Sequence, residues 1–330
     1  MKTYLNKLIN HQSLTREEAK AALVKIGQGF DNQYQITAFI SAFLMRPIKV
    51  EELQGFRDAL LELCVPINMS DFKTIDVCGT GGDGKNTFNV STLSSIVSAA
   101  VGLKVVKHGN YSVSSQCGSS DVLEYMGVKF TNDESKLKQQ LDKTGICFLH
   151  APLFHPALKN VGPVRKALGI KTFFNMLGPM VNPAVPQHQL VGVFSLELLR
   201  LYNYLYQDSG VKHTIIHALD GYDEISLTGA TKFAGIHGEG LISPSDFGVK
   251  SQSAESIYGG ETVKEAANIF SSVLEGQGTE QQNNVVSANA ALAITTYYNE
   301  IDLADAFVLA KEAIIGKKAL EVFKNILNHQ

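Results

Sequence analysis

Hydrophobic and polar positions fall into two grammars along this chain. Through the first 65 residues the apolar positions recur at helical spacing only. Thr15 and Glu18 form a T-x-x-E capping box ahead of "AKAALVKIG", and Gly27 supplies a stop. "QYQITAFISAFLMRP" predicts a strongly apolar helix ending at Pro47, and "VEELQGFRDALLELC" predicts another. After that, short apolar runs alternate with helical patterns. "FKTIDVCG", "LKVVKHG", "GICFLHAP", "HQLVGVFS" and "HTIIHALDG" read as strands. "STLSSIVSAAVG", "SSDVLEYMG" and "LELLRLYNYLYQ" read as the helices between them. Such alternation predicts an α/β fold with a largely parallel sheet. Residues 156 to 187, rich in Pro and Gly and without a strand, read as short helices that return to the N-terminal helical part. The last 70 residues are mostly helical.

Composition narrows the class. The chain has 330 residues, 45% hydrophobic and 18% charged, with net charge −3, an ordinary globular balance without the basic excess of a nucleic-acid binder. No apolar run reaches the ~18 residues that a membrane helix needs, and the first 20 residues carry acids instead of an apolar signal core. Cys64, Cys78, Cys117 and Cys147 are too scattered for a thiolate metal site and suit a reduced, cytoplasmic setting.

Candidate chemistry starts at "VCGTGGDGKNTFNVST", Val77 to Thr92, where four glycines fall within six residues. Gly79, Gly81 and Gly84 spell a dinucleotide-binding turn, but the next strand ends in Lys107-His108 where that motif expects an acid. Gly79, Gly84 and Lys85 approach a Walker A motif, but Asn86 stands where Ser or Thr would ligate Mg2+. The physical content outlives both matches. Glycines let backbone N–H groups approach an anion, and Asn89, Ser91 and Thr92 sit at the mouth of the next helix. A turn with an N-cap needs only one glycine and one Ser.

Three more stretches belong with it. "KHGNYSVSSQCGSSD" follows the second strand and offers Lys107 with Ser114, Ser115 and Ser119, or else is a solvated loop. Asp223 and Glu224 stand side by side after a strand; they are an exposed acidic turn or the ligands of a hard cation such as Mg2+. Arg165 lies between glycines in the returning segment and is a surface arginine or a ligand-binding one.

Together these stretches resemble the anthranilate phosphoribosyltransferases of tryptophan biosynthesis. The resemblance is carried by "GTGGDG" at 79–84, "FNVST" at 88–92, "KHGN" at 107–110, "SSDVLE" at 119–124, "VRKALGIKTFFNMLGP" at 164–179 and "DEISLTG" at 223–229. It implies a small helical domain (1–66 plus about 160–187) hinged to a larger α/β domain (67–159 plus about 188–330), paired as a homodimer through the helical part. The substrates implied are anthranilate and 5-phosphoribosyl 1-pyrophosphate, with Mg2+ as two ions, and no nucleic acid or membrane partner. By the family pattern Gly79, Gly82, Asp83, Thr87, Asn89, Val90, Ser91, Thr92, Lys107, His108, Gly109, Asn110, Tyr111, Ser112, Val113, Ser114, Ser115 and Ser119 line the phosphoribosyl pyrophosphate site. Ser91, Asp223 and Glu224 hold the metal, and Gly79, Asn110 and Arg165 meet anthranilate. The arylamine is neutral at pH 7, so no general base is assigned, and His108 is a candidate only for orienting it. Tyr111 departs from the family, which often has Arg after "KHGN". A pyrimidine nucleoside phosphorylase would carry a "KHSTGG"-type loop, absent here, and a nucleic-acid-binding homologue would lack the acidic pair. The helix "ITAFISAFLM" carries more apolar surface than one lobe needs, which points to the dimer interface.

Overall fold

The computed structural model describes residues 1–30, 32–111, 117–207 and 209–330. It divides into two units, Met1–Ile67 with Ala151–Val185, and Asn68–His150 with Pro186–Gln330. The returning segment therefore begins earlier than the expected 160, because the strand ending at His150 passes directly into a helical turn, Ala151–Phe154.

The first unit is helical. Its N-terminal helices are Lys2–Ile9, Arg16–Gly27, Gln33–Leu44 and Val50–Glu62. The capping box forms as spaced: Glu18 N–H donates to Thr15 Oγ1 at 3.2 Å, and Thr15 N–H donates to Glu18 Oε2 at 3.1 Å. Gly55 lets Val50–Glu62 close on Arg16–Gly27, since a Cβ there would lie 2.7 Å from Ala19 Cβ. Phe39 and Phe43 meet Phe56 edge-on, and Phe173 of the returning segment stacks on Phe56 at 4.4 Å. The apolar helix buries Ile36, Phe39, Ile40 and Phe43 in its own unit's core. What stays exposed is Tyr34, Leu44 and Met45, together with Ile9 and Phe30.

The second unit is built on a seven-stranded sheet. Its strands are β1 (Thr74–Gly79), β2 (Lys104–Gly109), β3 (Ile146–His150), β4 (His188–Gly192), β5 (Lys212–Ala218), β6 (Thr231–Gly235) and β7 (Gly238–Ile242). Their order is β3-β2-β1-β4-β5-β6-β7. The five expected strands pair in parallel, and β6–β7 adds an antiparallel hairpin that the pattern did not predict. Helix Val90–Ala100 packs in the core, where its serines turn inward on backbone: Ser94 Oγ donates to Val286 O at 3.1 Å and Ser98 Oγ to Ser94 O at 2.7 Å.

One topological detail positions the site. From β1 the chain runs outward to β2 and β3, then returns to β4 on the other flank of β1. Open α/β sheets bind ligands outside the carboxyl ends of their strands at such a reversal. Gly79 and Gly192 are register partners there.

Candidate active site

The glycine loop springs from the end of β1. Gly81, Gly82 and Gly84 adopt φ of 64°, 73° and 76°, the left-handed region that side chains resist. Gly79 serves a different need: a Cβ there would collide with Asp223 Oδ2. Thr80 N–H donates to Gly192 O at 2.9 Å, tying the loop to β4. Its far side is held by residues 257–260. Phe88 N–H donates to Ile257 O at 3.2 Å, Gly259 N–H to Asn86 O at 2.8 Å, and Asn86 Nδ2 to Gly260 O at 2.9 Å. Lys85, the lysine of the loop, lies 4.7 Å from the Tyr222 ring.

The acidic pair is not an exposed turn. Asp223 is 7% exposed, and its Oδ2 accepts Gly81 N–H at 2.7 Å. Glu224 Oε1 accepts Ser91 N–H at 3.1 Å, at the start of helix Val90–Ala100, and its Oε2 accepts Thr87 Oγ1 at 3.4 Å. Burial pushes the Asp223 carboxyl up to about 7, with the charge of Asp83 adding to the rise. Burial likewise holds Glu224 well above the carboxylate range, with Asp223 and Asp83 adding. Glu224 keeps some surface in solvent, yet its carboxylate is packed deeply enough for burial to lead. These acids are short of a cation. Among the described residues no three His, Cys, Asp or Glu side chains form a ready metal cage. A sparse carboxylate set suits Mg2+, which keeps waters and takes substrate phosphate oxygens beside one or two carboxylates.

Lys107 is 3% exposed, and its Nζ donates to Val77 O at 2.6 Å and to Ser91 Oγ at 3.4 Å. Burial lowers its pKa, opposed by the neighbouring Asp76, Cys78 and Glu224. Its charge therefore lies tied to β1 beneath the glycine loop. His108 is 8% exposed, and its N–H donates to Asp76 Oδ1 at 3.2 Å. Asp76 is fully buried within β1 and went unnoticed in the sequence.

The other expected residues gather around this edge. Asn89 Nδ2 donates to Cys117 O at 3.4 Å. Val90 packs in the core, and Thr92 Oγ1 is buried without a partner among the described residues. Gly82 is buried, and Asp83 Oδ1 accepts Lys85 N–H at 3.0 Å. Asn110 O accepts Ser119 Oγ at 3.2 Å, which Gly109 permits: a Cβ there would be 2.7 Å from that hydroxyl. Tyr111 donates to Glu124 Oε2 at 3.2 Å and sets its ring edge-on to His150 at 4.8 Å. Ser112, Val113, Ser114 and Ser115 lie outside the described residues.

Arg165 belongs to the helical unit, on helix Gly162–Leu168. Its guanidinium lies 5.2 Å from the Phe174 ring, and burial lowers its pKa. Among the described residues it makes no ion pair. Gly192 and Gly259 are further site residues that sequence reasoning missed. At Gly192 a Cβ would collide with Asp223 O, and at Gly259 it would lie 2.5 Å from Thr87 O. The only signal for Gly259 was the pair Gly259-Gly260 after Tyr258.

Comparison with known proteins agrees with this picture. A model described as "Glycosyl transferase family, helical bundle domain" matches residues 2–64, and one described as "Glycosyl transferase family, a/b domain" matches residues 71–320. The chain is 59% identical over 326 residues to an anthranilate phosphoribosyltransferase of Flavobacterium johnsoniae, covering 99% of this chain and 98% of that one. It is 50% identical over 327 residues to one of Bacteroides fragilis, covering 99% of each. Among solved structures, that of the Thermus thermophilus enzyme superposes with TM-score 0.92 at 30% identity, over 99% of this chain and 98% of that one. The Saccharomyces cerevisiae enzyme in complex with PRPP and Mg superposes with TM-score 0.91 at 26% identity, over 99% of this chain and 96% of that one.

Proposed function

The chain belongs to the anthranilate phosphoribosyltransferases, and from that premise we propose how its residues divide the work. The reaction transfers the phosphoribosyl group of 5-phosphoribosyl 1-pyrophosphate to the amine of anthranilate, in tryptophan biosynthesis. Its products are N-(5-phosphoribosyl)anthranilate and pyrophosphate. The observation that carries the assignment of roles is the meeting of two buried acids with the glycine loop and a helix N-terminus at the β1/β4 reversal.

The loop from Gly79 to Gly84, with Thr87 and Asn89 to Thr92, holds the pyrophosphate. Its backbone N–H groups meet the negative charge that grows as the bond to ribose C1 breaks. Ser91, Asp223 and Glu224 hold Mg2+, as two ions with the substrate. Mg2+ supplies charge neutralisation for the departing pyrophosphate. Lys107 adds positive charge from beneath the loop. Ser119 Oγ, donating to Asn110 O, ties the end of β2 to the helix that follows, and both residues line the phosphoribosyl site.

Gly79, Asn110 and Arg165 meet anthranilate. The support for Arg165 is that a half-buried guanidinium without an acid partner among the described residues matches a carboxylate through two parallel hydrogen bonds. The neutral arylamine attacks C1 without a strong base, and His108 is the candidate for orienting it.

The helical unit pairs two copies in this reading, through the exposed Ile9, Phe30, Tyr34, Leu44 and Met45. A monomer by light scattering at micromolar concentration would contradict it. No disulfide joins Cys64, Cys78, Cys117 and Cys147, which supports a reducing cytoplasm. No helix among the described residues is long and apolar enough to cross a membrane.

The test mixes the protein with 5-phosphoribosyl 1-pyrophosphate, Mg2+ and anthranilate and follows anthranilate fluorescence. A Mg2+-dependent loss of fluorescence is expected. Unchanged fluorescence at saturating substrates would sink the assignment.

A further inference from the structure

A buried carboxylate without a cation takes whatever N–H donors lie near. Here those donors are ones that the pyrophosphate reading needs. Asp223 Oδ2 occupies Gly81 N–H at 2.7 Å, and Glu224 Oε1 occupies Ser91 N–H at 3.1 Å. Neither contact is incidental to the fold. Asp223 reaches the loop only because Gly79 and Gly192 present no Cβ in its way. Glu224 lies against the N-terminus of an eleven-residue helix, where the macrodipole favours an anion, and Thr87 Oγ1 steadies its other oxygen. The donors are therefore held by the chain's own carboxyl oxygens.

We propose that Asp223 and Glu224 stand in for the pyrophosphate in the ligand-free chain, and that metal and pyrophosphate bind as a coupled exchange. The inference rests on the site reading above. A cation that draws the two carboxylates to itself releases Gly81 N–H and Ser91 N–H together, and the pyrophosphate oxygens take them over. A pyrophosphate arriving without metal must displace both carboxyl groups from these donors. The coupling is reciprocal, so pyrophosphate tightens the metal by the factor that metal tightens pyrophosphate.

Removing charge alone also favours an anion, so the test compares variants of equal charge. Glu224→Gln keeps an acceptor for Ser91 N–H, whereas Glu224→Ala vacates it. Calorimetric titration with inorganic pyrophosphate in the absence of metal is expected to show the Ala variant binding about three- to tenfold tighter than the Gln variant, the worth of one freed donor. Asp223→Ala and Asp223→Asn should order the same way. Equal affinities, or a tighter Gln variant, would overturn the proposal. If the Ala variants do not fold, the amide NMR signals of Gly81 and Ser91 in the unmodified protein give the answer. Both should move to their bound positions when Mg2+ and pyrophosphate are present together. If pyrophosphate alone moves them as far, the stand-in role is wrong. If pyrophosphate does not bind even with Mg2+, the site reading itself fails.

Discussion

Glu52 and Glu224 are both glutamates held in the interior, one in each unit, and their surroundings are opposite. Glu52 is fully buried and fully satisfied. Arg46 grips its carboxylate with both guanidinium nitrogens, and the N–H groups of Leu14 and Lys49 donate to it at 2.9 and 3.0 Å. Glu224 has a backbone N–H, a threonine hydroxyl and two acids for company, while Lys107 Nζ is bonded to Val77 O. The same contrast separates the arginines of the helical unit. Arg46 has its acid, and Arg165 has an aromatic ring and, among the described residues, no ion pair. A buried charge that is paired from within holds a fold together. One left without an ion pair among the described residues is a demand for a ligand: Asp223 and Glu224 ask for a cation, and Arg165 asks for an anion.

The strongest way to break this contrast is to neutralise both acids. Asp223→Asn with Glu224→Gln should lower kcat/KM by about a thousandfold or more, roughly 4 kcal/mol of transition-state stabilisation. The melting temperature without metal should not fall, because no ion pair is lost. Parental turnover at low Mg2+ would reduce the pair to a structural turn.

The converse change is Glu52→Gln, which strands Arg46. It should cost about 3 kcal/mol of stability, or roughly 6–10 °C in melting temperature, while the rate per folded molecule stays put. An unchanged melting temperature would remove the distinction between the two glutamates.

His155 sharpens the comparison by pH. It is 2% exposed in the helical unit, with Nε2 bonded to Val181 O at 2.9 Å, and burial pushes its pKa down from 6.5 to about 4. Between these values the unfolded chain binds more protons than the folded one. Its contribution is therefore complete above pH 6.5 and falls as pH drops toward 4, by about 2–3 kcal/mol. His155→Gln should flatten the acid limb of the melting curve, and an identical acid limb would show that the charge is accommodated.

The smallest effect is expected at Arg165. Arg165→Ala should cost about 1.5–3 kcal/mol in kcat/KM, seen mainly as a higher KM for anthranilate. If the KM for 5-phosphoribosyl 1-pyrophosphate rises instead, Arg165 serves phosphate, and the two substrates are assigned to the wrong residues.

The local features were legible in the sequence. The Thr15–Glu18 box, the five parallel strands and the small polar run after β1 all depend on neighbours within a few residues. What was hidden depends on residues far apart. Asp76 reads as an ordinary strand residue, and its role shows only where it accepts the N–H of His108, 32 positions on. Gly79 read as a phosphate glycine, but its missing Cβ makes room for Asp223, 144 positions later. Gly192 stands alone between Val191 and Val193, and Gly259 is marked only by its neighbour Gly260. The β6–β7 hairpin escaped because its strands are partly exposed and interleaved with glycine, which blurs their alternation. In the apolar helix Gln33–Leu44, hydrophobic spacing alone does not separate the residues left exposed, Tyr34 and Leu44, from the face that meets Phe173 of the same chain.

That last residue has a consequence for synthesis. The helical unit is stitched from two stretches of chain, and Phe173, which stacks on Phe56, belongs to the later one. During translation the first four helices leave the ribosome with their aromatic cluster unfinished. At roughly 5–20 residues per second, the ~100 residues that separate Ile67 from Phe173 take on the order of 5–20 s to appear. For that interval the nascent chain carries an apolar face meant for its own later segment, which is the moment at which a chaperone would have most to hold.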